Sequence, residues 1–138
     1  MASTIHTGPR TINRFADVCM EVLDHKGRGR MLWGLLDSGC SKSIILRHFV
    51  SRSQLMNRDQ RTVTYNTYGG KFRTKSAASV GLKLIEFSNS ETINWKFQVD
   101  EYHHHEEVPY DIIIGSDLMT QLGLDIKYSS QTIEWRGD

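Results

Sequence analysis

The apolar residues of this chain alternate in short runs. From Ile93 to Val99 the order is Ile-Asn-Trp-Lys-Phe-Gln-Val, apolar on one face and polar on the other, a period that only a β-strand turns into a buried face. Val80, Leu82 and Leu84 alternate with Gly81 and Lys83, Leu124, Ile126 and Tyr128 repeat the pattern, and Ile133 and Trp135 close it. Val18 to Leu23 is β-prone and leads into Asp24-His25-Lys26-Gly27, a turn sequence. Thr62 to Tyr68 ends at Gly69-Gly70, with Lys71 to Thr74 as its hairpin partner.

Two further runs are apolar almost throughout, Met31 to Leu36 and Ile112 to Ile114, as expected of strands buried on both faces. A helical pattern occurs once. Ser116 is placed as N-cap, Asp117 in the first turn, Leu118, Met119 and Leu122 share a face, and Gly123 ends the segment. The expected fold is mainly β with one short helix near the C-terminus.

Length and composition narrow the class. A chain of 138 residues with 38% hydrophobic and 24% charged residues matches one ordinary globular domain, without repeats or low-complexity tracts. We read residues 1–14 as a flexible polar N-terminal segment, containing the turn-prone Thr7-Gly8-Pro9-Arg10, and residues 15–138 as the domain. Lys and Arg together number 17 against 16 Asp and Glu, so the basic footprint of a nucleic-acid binder is missing. A small RNA-binding β-barrel is disfavoured on that ground. No apolar run is long enough to span a bilayer, and the first twenty residues lack a signal-peptide core. Two cysteines, Cys19 and Cys40, form no disulfide framework, which points to a reducing, cytoplasmic setting.

The chemistry sits where the first wholly apolar run stops. Leu35-Leu36 delivers Asp37 to the inner end of a strand, where an ionised carboxylate needs partners. Ser38 offers a hydroxyl to a neighbouring loop, and Gly39 lets backbone approach the carboxylate. The plain alternative is a strand-ending turn, because Asp, Ser and Gly all favour turns. Three other features have bland readings. His103-His104-His105-Glu106-Glu107 lacks a second ligand group at metal-binding spacing and reads as a solvated loop. Arg47, His48, Arg52 and Arg58 form a basic cluster that reads, without interleaved stacking aromatics, as a solvated face. Cys40 reads as a small buried hydrophobe beside Asp37.

Taken in order, Leu35-Leu36-Asp37-Ser38-Gly39-Cys40-Ser41, the glycine-tipped hairpin and Tyr110-Asp111-Ile112-Ile113-Ile114-Gly115-Ser116-Asp117-Leu118-Met119 resemble the retropepsins, the aspartic proteases of retroviruses and long-terminal-repeat retrotransposons. The tail, Leu122 to Tyr128 with Gln131 to Trp135, looks most like the retrotransposon branch, and the resemblance spans roughly residues 15–135. It implies a closed β-barrel that works as a homodimer. One Asp-Ser-Gly is present, so a second aspartate would come from a second copy of the chain across a twofold axis. The implied activity is endopeptidase cleavage of a retroelement polyprotein in the cytoplasm, virus-like particles included, without metal or organic cofactor and without membrane or nucleic-acid partners.

In that reading Asp37 activates a water, Ser38 and Gly39 support it, and Tyr68, Gly69 and Gly70 form the flap that closes over an extended peptide. Leu35, Val63 and Ile114 stand as candidate pocket walls, each equally suited to the core. The competing implication is a retropepsin-like dimerisation or peptide-binding module that does not turn over.

Overall fold

The computed structural model describes residues 10–11, 16–56, 61–67, 70–88, 90–101 and 110–135. Strands β1 (Arg10–Thr11), β2 (Asp17–Leu23), β3 (Gly29–Leu36), β4 (Ile44–Leu46), β5 (Leu55–Met56), β6 (Val63–Thr67), β7 (Gly70–Lys83), β8 (Ile93–Asp100), β9 (Ile112–Ile114), β10 (Leu124–Lys127) and β11 (Thr132–Trp135) are joined by one helix, α1 (Ser116–Leu122), between β9 and β10. The fold is mainly β with one short helix, as the alternation predicts.

Six strands close on themselves in the order β2-β3-β9-β4-β8-β7, and β7 returns to β2. The closing register pairs Glu21 with Lys83, Val22 with Leu82 and Leu23 with Gly81. Closure removes the open edges that would otherwise present unpaired backbone. Two pairings in the ring are parallel, β3 with β9 and β4 with β8, and these join segments far apart in sequence. Strands β5 and β6 lie against β7, and a separate three-stranded sheet runs β1-β11-β10. Arg10–Thr11, within the segment read as flexible, therefore pair with Ile133 and Thr132.

The barrel is filled by alternate residues of its strands. Val18, Met20 and Val22 of β2, Val80 and Leu82 of β7, and Phe97 and Val99 of β8 join one core with Leu36, Ile45, Ile112 and Leu118. Burying side chains of this size stabilises by roughly 1.5–3 kcal/mol each, so the inward face of each strand fixes its register. The helix lays Leu118, Met119 and Leu122 on that core and stops at Gly123, whose positive φ of 74° a side chain would oppose.

Three expectations need correction. Met31 to Leu36 is not buried on both faces throughout: Met31 and Trp33 are 53% and 47% exposed. Leu32 between them is 2% exposed, so this half of β3 alternates and turns one face to solvent, whereas Gly34 to Leu36, the part of β3 that pairs with β9, is buried throughout. Lys71–Thr74 and the Val80 and Leu82 part of the Val80–Leu84 alternation belong to one 14-residue strand, which ends at Lys83 and is bent by a register shift between Thr74 and Ser76. The helix N-cap is Gly115, not Ser116, which already sits in the helix. A Cβ on residue 115 would lie 2.6 Å from the carbonyl oxygens of Cys40 and Lys42, so the strand-to-helix junction passes too close to that loop for any side chain.

Candidate active site

Asp37 is the first residue beyond β3, and its position is set by the neighbouring strand. Its backbone N–H donates to the Ile114 carbonyl at 2.9 Å, prolonging the parallel β3–β9 pairing by one step. The chain then turns. Cys40 N–H donates to the Asp37 carbonyl at 3.0 Å, and Gly39 N–H donates to Asp37 Oδ1 at 3.1 Å. The outcome is a carboxylate only 5% exposed, with Ser38 and Gly39 beside it open to solvent. A plain surface turn would leave the aspartate in water; here the strand end carries it into the protein. Ser38 makes no hydrogen bond through its hydroxyl among the described residues.

The loop is braced from α1. Ser116 N–H donates to the Cys40 carbonyl at 2.8 Å. Ser43 is fully buried; its hydroxyl donates to Asp117 Oδ1 at 2.8 Å and accepts from Gly115 N–H at 2.9 Å. Ser43 N–H reaches the other oxygen of Asp117 at 3.3 Å. Asp117 therefore does more than favour the helix start: it ties the segment after Asp37 to the segment after β9. Sequence reading missed this role of Ser43, because a serine in a Ser-rich loop gives no periodic signal. Its nearest clue was an aspartate two residues past a glycine that ends an apolar strand.

Asp111 and Tyr110 position β9 from its other end. Asp111 N–H donates to the Trp33 carbonyl, and Trp33 N–H donates back to the Asp111 carboxylate, both at 3.0 Å. Tyr110 donates its hydroxyl to Asp17 at 3.0 Å, across 93 residues of sequence.

A second apolar cluster underlies the loop: Leu35, Cys40, Ile44, Phe72, Tyr110 and Ile113, with Tyr65 and Leu46 packed against it. Through Tyr65 and Phe72 the stem of the β6–β7 hairpin rests on the same cluster that supports Asp37. The hairpin is as predicted, antiparallel from Val63 opposite Thr74 to Thr67 opposite Gly70. Gly70 has a positive φ of 127°, and Thr67 donates its hydroxyl to the Gly70 carbonyl at 2.9 Å. Tyr68 and Gly69, the remainder of the expected tip, lie outside the described residues, as do His103–His105 and Arg58.

Burial, reinforced by the carboxylates of Asp37 and Asp117, pushes the Cys40 thiol above its usual range, and the thiol contacts the Lys42 carbonyl at 3.1 Å. The shift favours the neutral thiol over the thiolate. Burial also raises the Tyr65 phenol, with Cys40 and Asp117 adding to it. Of the candidate pocket walls, Leu35 and Ile114 are core residues, and Val63 is exposed on β6. Among the described residues no group of three or more His, Cys, Asp or Glu side chains could hold a metal ion, and no helix is long and apolar enough to cross a membrane. Neither Cys19 nor Cys40 is in a disulfide among the described residues.

No protein-family model and no curated protein matches this chain. Among solved structures it is similar to the retroviral protease-like domain of Ddi1 from Leishmania major, at 13% identity and a TM-score of 0.49, over 89% of this chain and 94% of that one.

Proposed function

We propose that the chain is a homodimeric aspartic endopeptidase in which two copies of Asp37 face each other across a twofold axis. The observation that carries this reading is the placement of Asp37: a buried carboxylate at a strand end, fixed by its own loop, beside two solvent-open residues. Two carboxylates a few ångströms apart in such a setting share one proton, because a second negative charge there is unfavourable.

The chemistry follows from that shared proton. The ionised carboxylate takes a proton from a water as its oxygen attacks the scissile carbonyl carbon, and the protonated one gives its proton to the carbonyl oxygen. Collapse of the resulting gem-diol breaks the C–N bond as one carboxyl gives its proton to the departing nitrogen and the other takes a gem-diol hydroxyl proton, which leaves a carboxylic acid, an amine and a dyad again holding one proton. In this reading Ser38, exposed beside Asp37, holds the adjoining loop of the second copy, and the β6–β7 hairpin covers an extended peptide. The substrate we infer is the polyprotein of a retroelement, processed in the cytoplasm or in virus-like particles, with support from the order of sequence motifs. Neither membrane nor nucleic acid is a partner in this reading.

Asp37→Asn tests it. The variant keeps fold and dimer and loses peptide cleavage, and a statine-type peptide inhibits the wild type alone. Cleavage retained by purified Asp37→Asn would end the proposal.

A further inference from the structure

Strand β3 carries a second feature at the end opposite Asp37. A cavity of about 530 Å³ opens between the β2–β3 turn and the segment His48–Ser51. Arg30, on its rim, lies seven residues before Asp37, about 20 Å along an extended strand. The cavity is thus separate from the candidate active site.

Its floor is apolar and its rim cationic. Val22, Leu32 and Val50 are buried beneath it, and Phe49 forms a side wall. His25, Arg28, Arg30 and His48 stand around the mouth, with Asp24 as the one acid among the lining residues. Asp24 is already satisfied. Its Oδ1 accepts from the N–H groups of Lys26 and Arg28 at 2.9 and 2.8 Å, and its Oδ2 accepts from Arg28 Nε at 3.1 Å. These bonds, the Arg28 backbone N–H foremost, hold its carboxyl below the usual range. Arg28 and Asp24 therefore cancel.

Arg30 is different. Its guanidinium lies 4.6 Å over the ring of Phe49, and His48 meets the same ring edge-on at 4.9 Å. No carboxylate among the described residues is within ion-pair reach of Arg30, His25 or His48. Phe49 sits inside the Arg47–Arg58 segment, and the guanidinium over its ring is that of Arg30 on β3, outside that cluster.

We propose that this cavity is a binding site for a small organic carboxylate with an apolar body. The volume falls in the range of small-molecule sites, roughly 300–1,000 Å³, where apolar walls carry a few placed polar groups. The guanidinium fork of Arg30, seated over Phe49, matches a carboxylate with two parallel hydrogen bonds. An inorganic anion would leave the apolar floor wet, and an uncharged apolar molecule would leave the guanidinium without a counter-charge.

The probe is 2-naphthoate, titrated into the full ¹⁵N-labelled chain and followed by amide chemical shifts. Shifts are expected at Leu23, Arg30, Leu32, Phe49 and Val50, with the Asp37–Ser43 loop unmoved. Arg30→Gln and, separately, replacement of the probe by 2-naphthamide should each weaken binding about tenfold or more, as loss of a charge-assisted pair does. Arg30 is exposed, so the variant's remaining spectrum reports an intact fold. Equal affinity for the amide, equal affinity of Arg30→Gln, shifts centred on Asp37, or no saturable shift up to about 10 mM would each overturn the proposal. Asp37→Asn binds the probe like the wild type, so a failed protease reading leaves this result standing.

Discussion

Replacing Gly115 by alanine tests how the loop after Asp37 is held. Gly115 has φ −86° and ψ −178°, ordinary extended backbone open to any residue. On backbone grounds alone, alanine should stabilise by about 0.4–1 kcal/mol, because it restricts the unfolded chain. Packing reverses that sign. The new Cβ would stand 2.6 Å from the carbonyl oxygens of Cys40 and Lys42 and 2.7 Å from the Lys42 carbonyl carbon. Backbone, not a flexible side-chain tip, is what it meets. Overpacking of this kind costs about 1–3 kcal/mol. Relief requires the 40–43 loop to draw away from α1, which lengthens the Ser116–Cys40 and Gly115–Ser43 bonds of 2.8 and 2.9 Å, each contributing about 1 kcal/mol. The sum is a destabilisation of ~3 kcal/mol, a large part of the 5–15 kcal/mol that stabilises a typical domain. Urea unfolding at fixed protein concentration, followed by circular dichroism, reads it as a lower midpoint at unchanged slope. An unchanged or raised midpoint would refute the close-approach account and leave Gly115 as an ordinary linker residue.

Ser43→Ala should cost about 2–3 kcal/mol, because it strands the Gly115 N–H and removes a hydrogen bond to the Asp117 carboxylate, whose Oδ1 keeps only the Leu118 N–H among the described residues; a double-mutant cycle with Asp117→Asn should then show coupling, and simple additivity would contradict the brace. Cys40 and Tyr65 both ionise less readily in the folded chain, so the stability they contribute is fully present below their unfolded values and lost as pH rises through the folded ones. Denaturation midpoints should therefore fall above about pH 8.5, where an unfolded thiol ionises, and Cys40→Ala should flatten the thiol part of that fall. Iodoacetamide should label the half-buried Cys19 well before Cys40, as read by peptide mass spectrometry; equal rates would remove the buried-thiol assignment. For the proposed enzyme, specific activity should fall on dilution as dimers separate, and turnover by a species shown to be monomeric by sedimentation would contradict the shared dyad.

Much of the barrel was legible because burial writes a period-2 signature. Ile93 to Val99 became β8 with Phe97 and Val99 inward, Ile112 to Ile114 became the buried β9, and the Thr62–Thr74 hairpin formed with its predicted strands. What stayed hidden lacked either length or propensity. Ile44–Leu46 and Leu55–Met56 are strands of three and two residues that exist through their neighbours' pairing. Ser76-Ala77-Ala78 has little strand preference of its own, yet all three pair with β8 and the two alanines pair with β5 on the other side. The change along β3, from one open face at Met31 and Trp33 to burial throughout at Gly34 to Leu36, coincides with its pairing to β9, which no local pattern records. Asp37 was conspicuous from sequence, whereas its supports Ser43 and Asp117 are a contact across 74 residues.

The carbonyl of Ile114, the amide of Ser116 and the carboxylate of Asp117 all reach back to a turn some 75 residues upstream. During synthesis the ribosome therefore makes the Asp-Ser-Gly segment long before anything exists to shape it. A nascent chain stopped short of residue 112 would expose that segment as loose coil, and the turn takes form only once residues 112–117 have emerged.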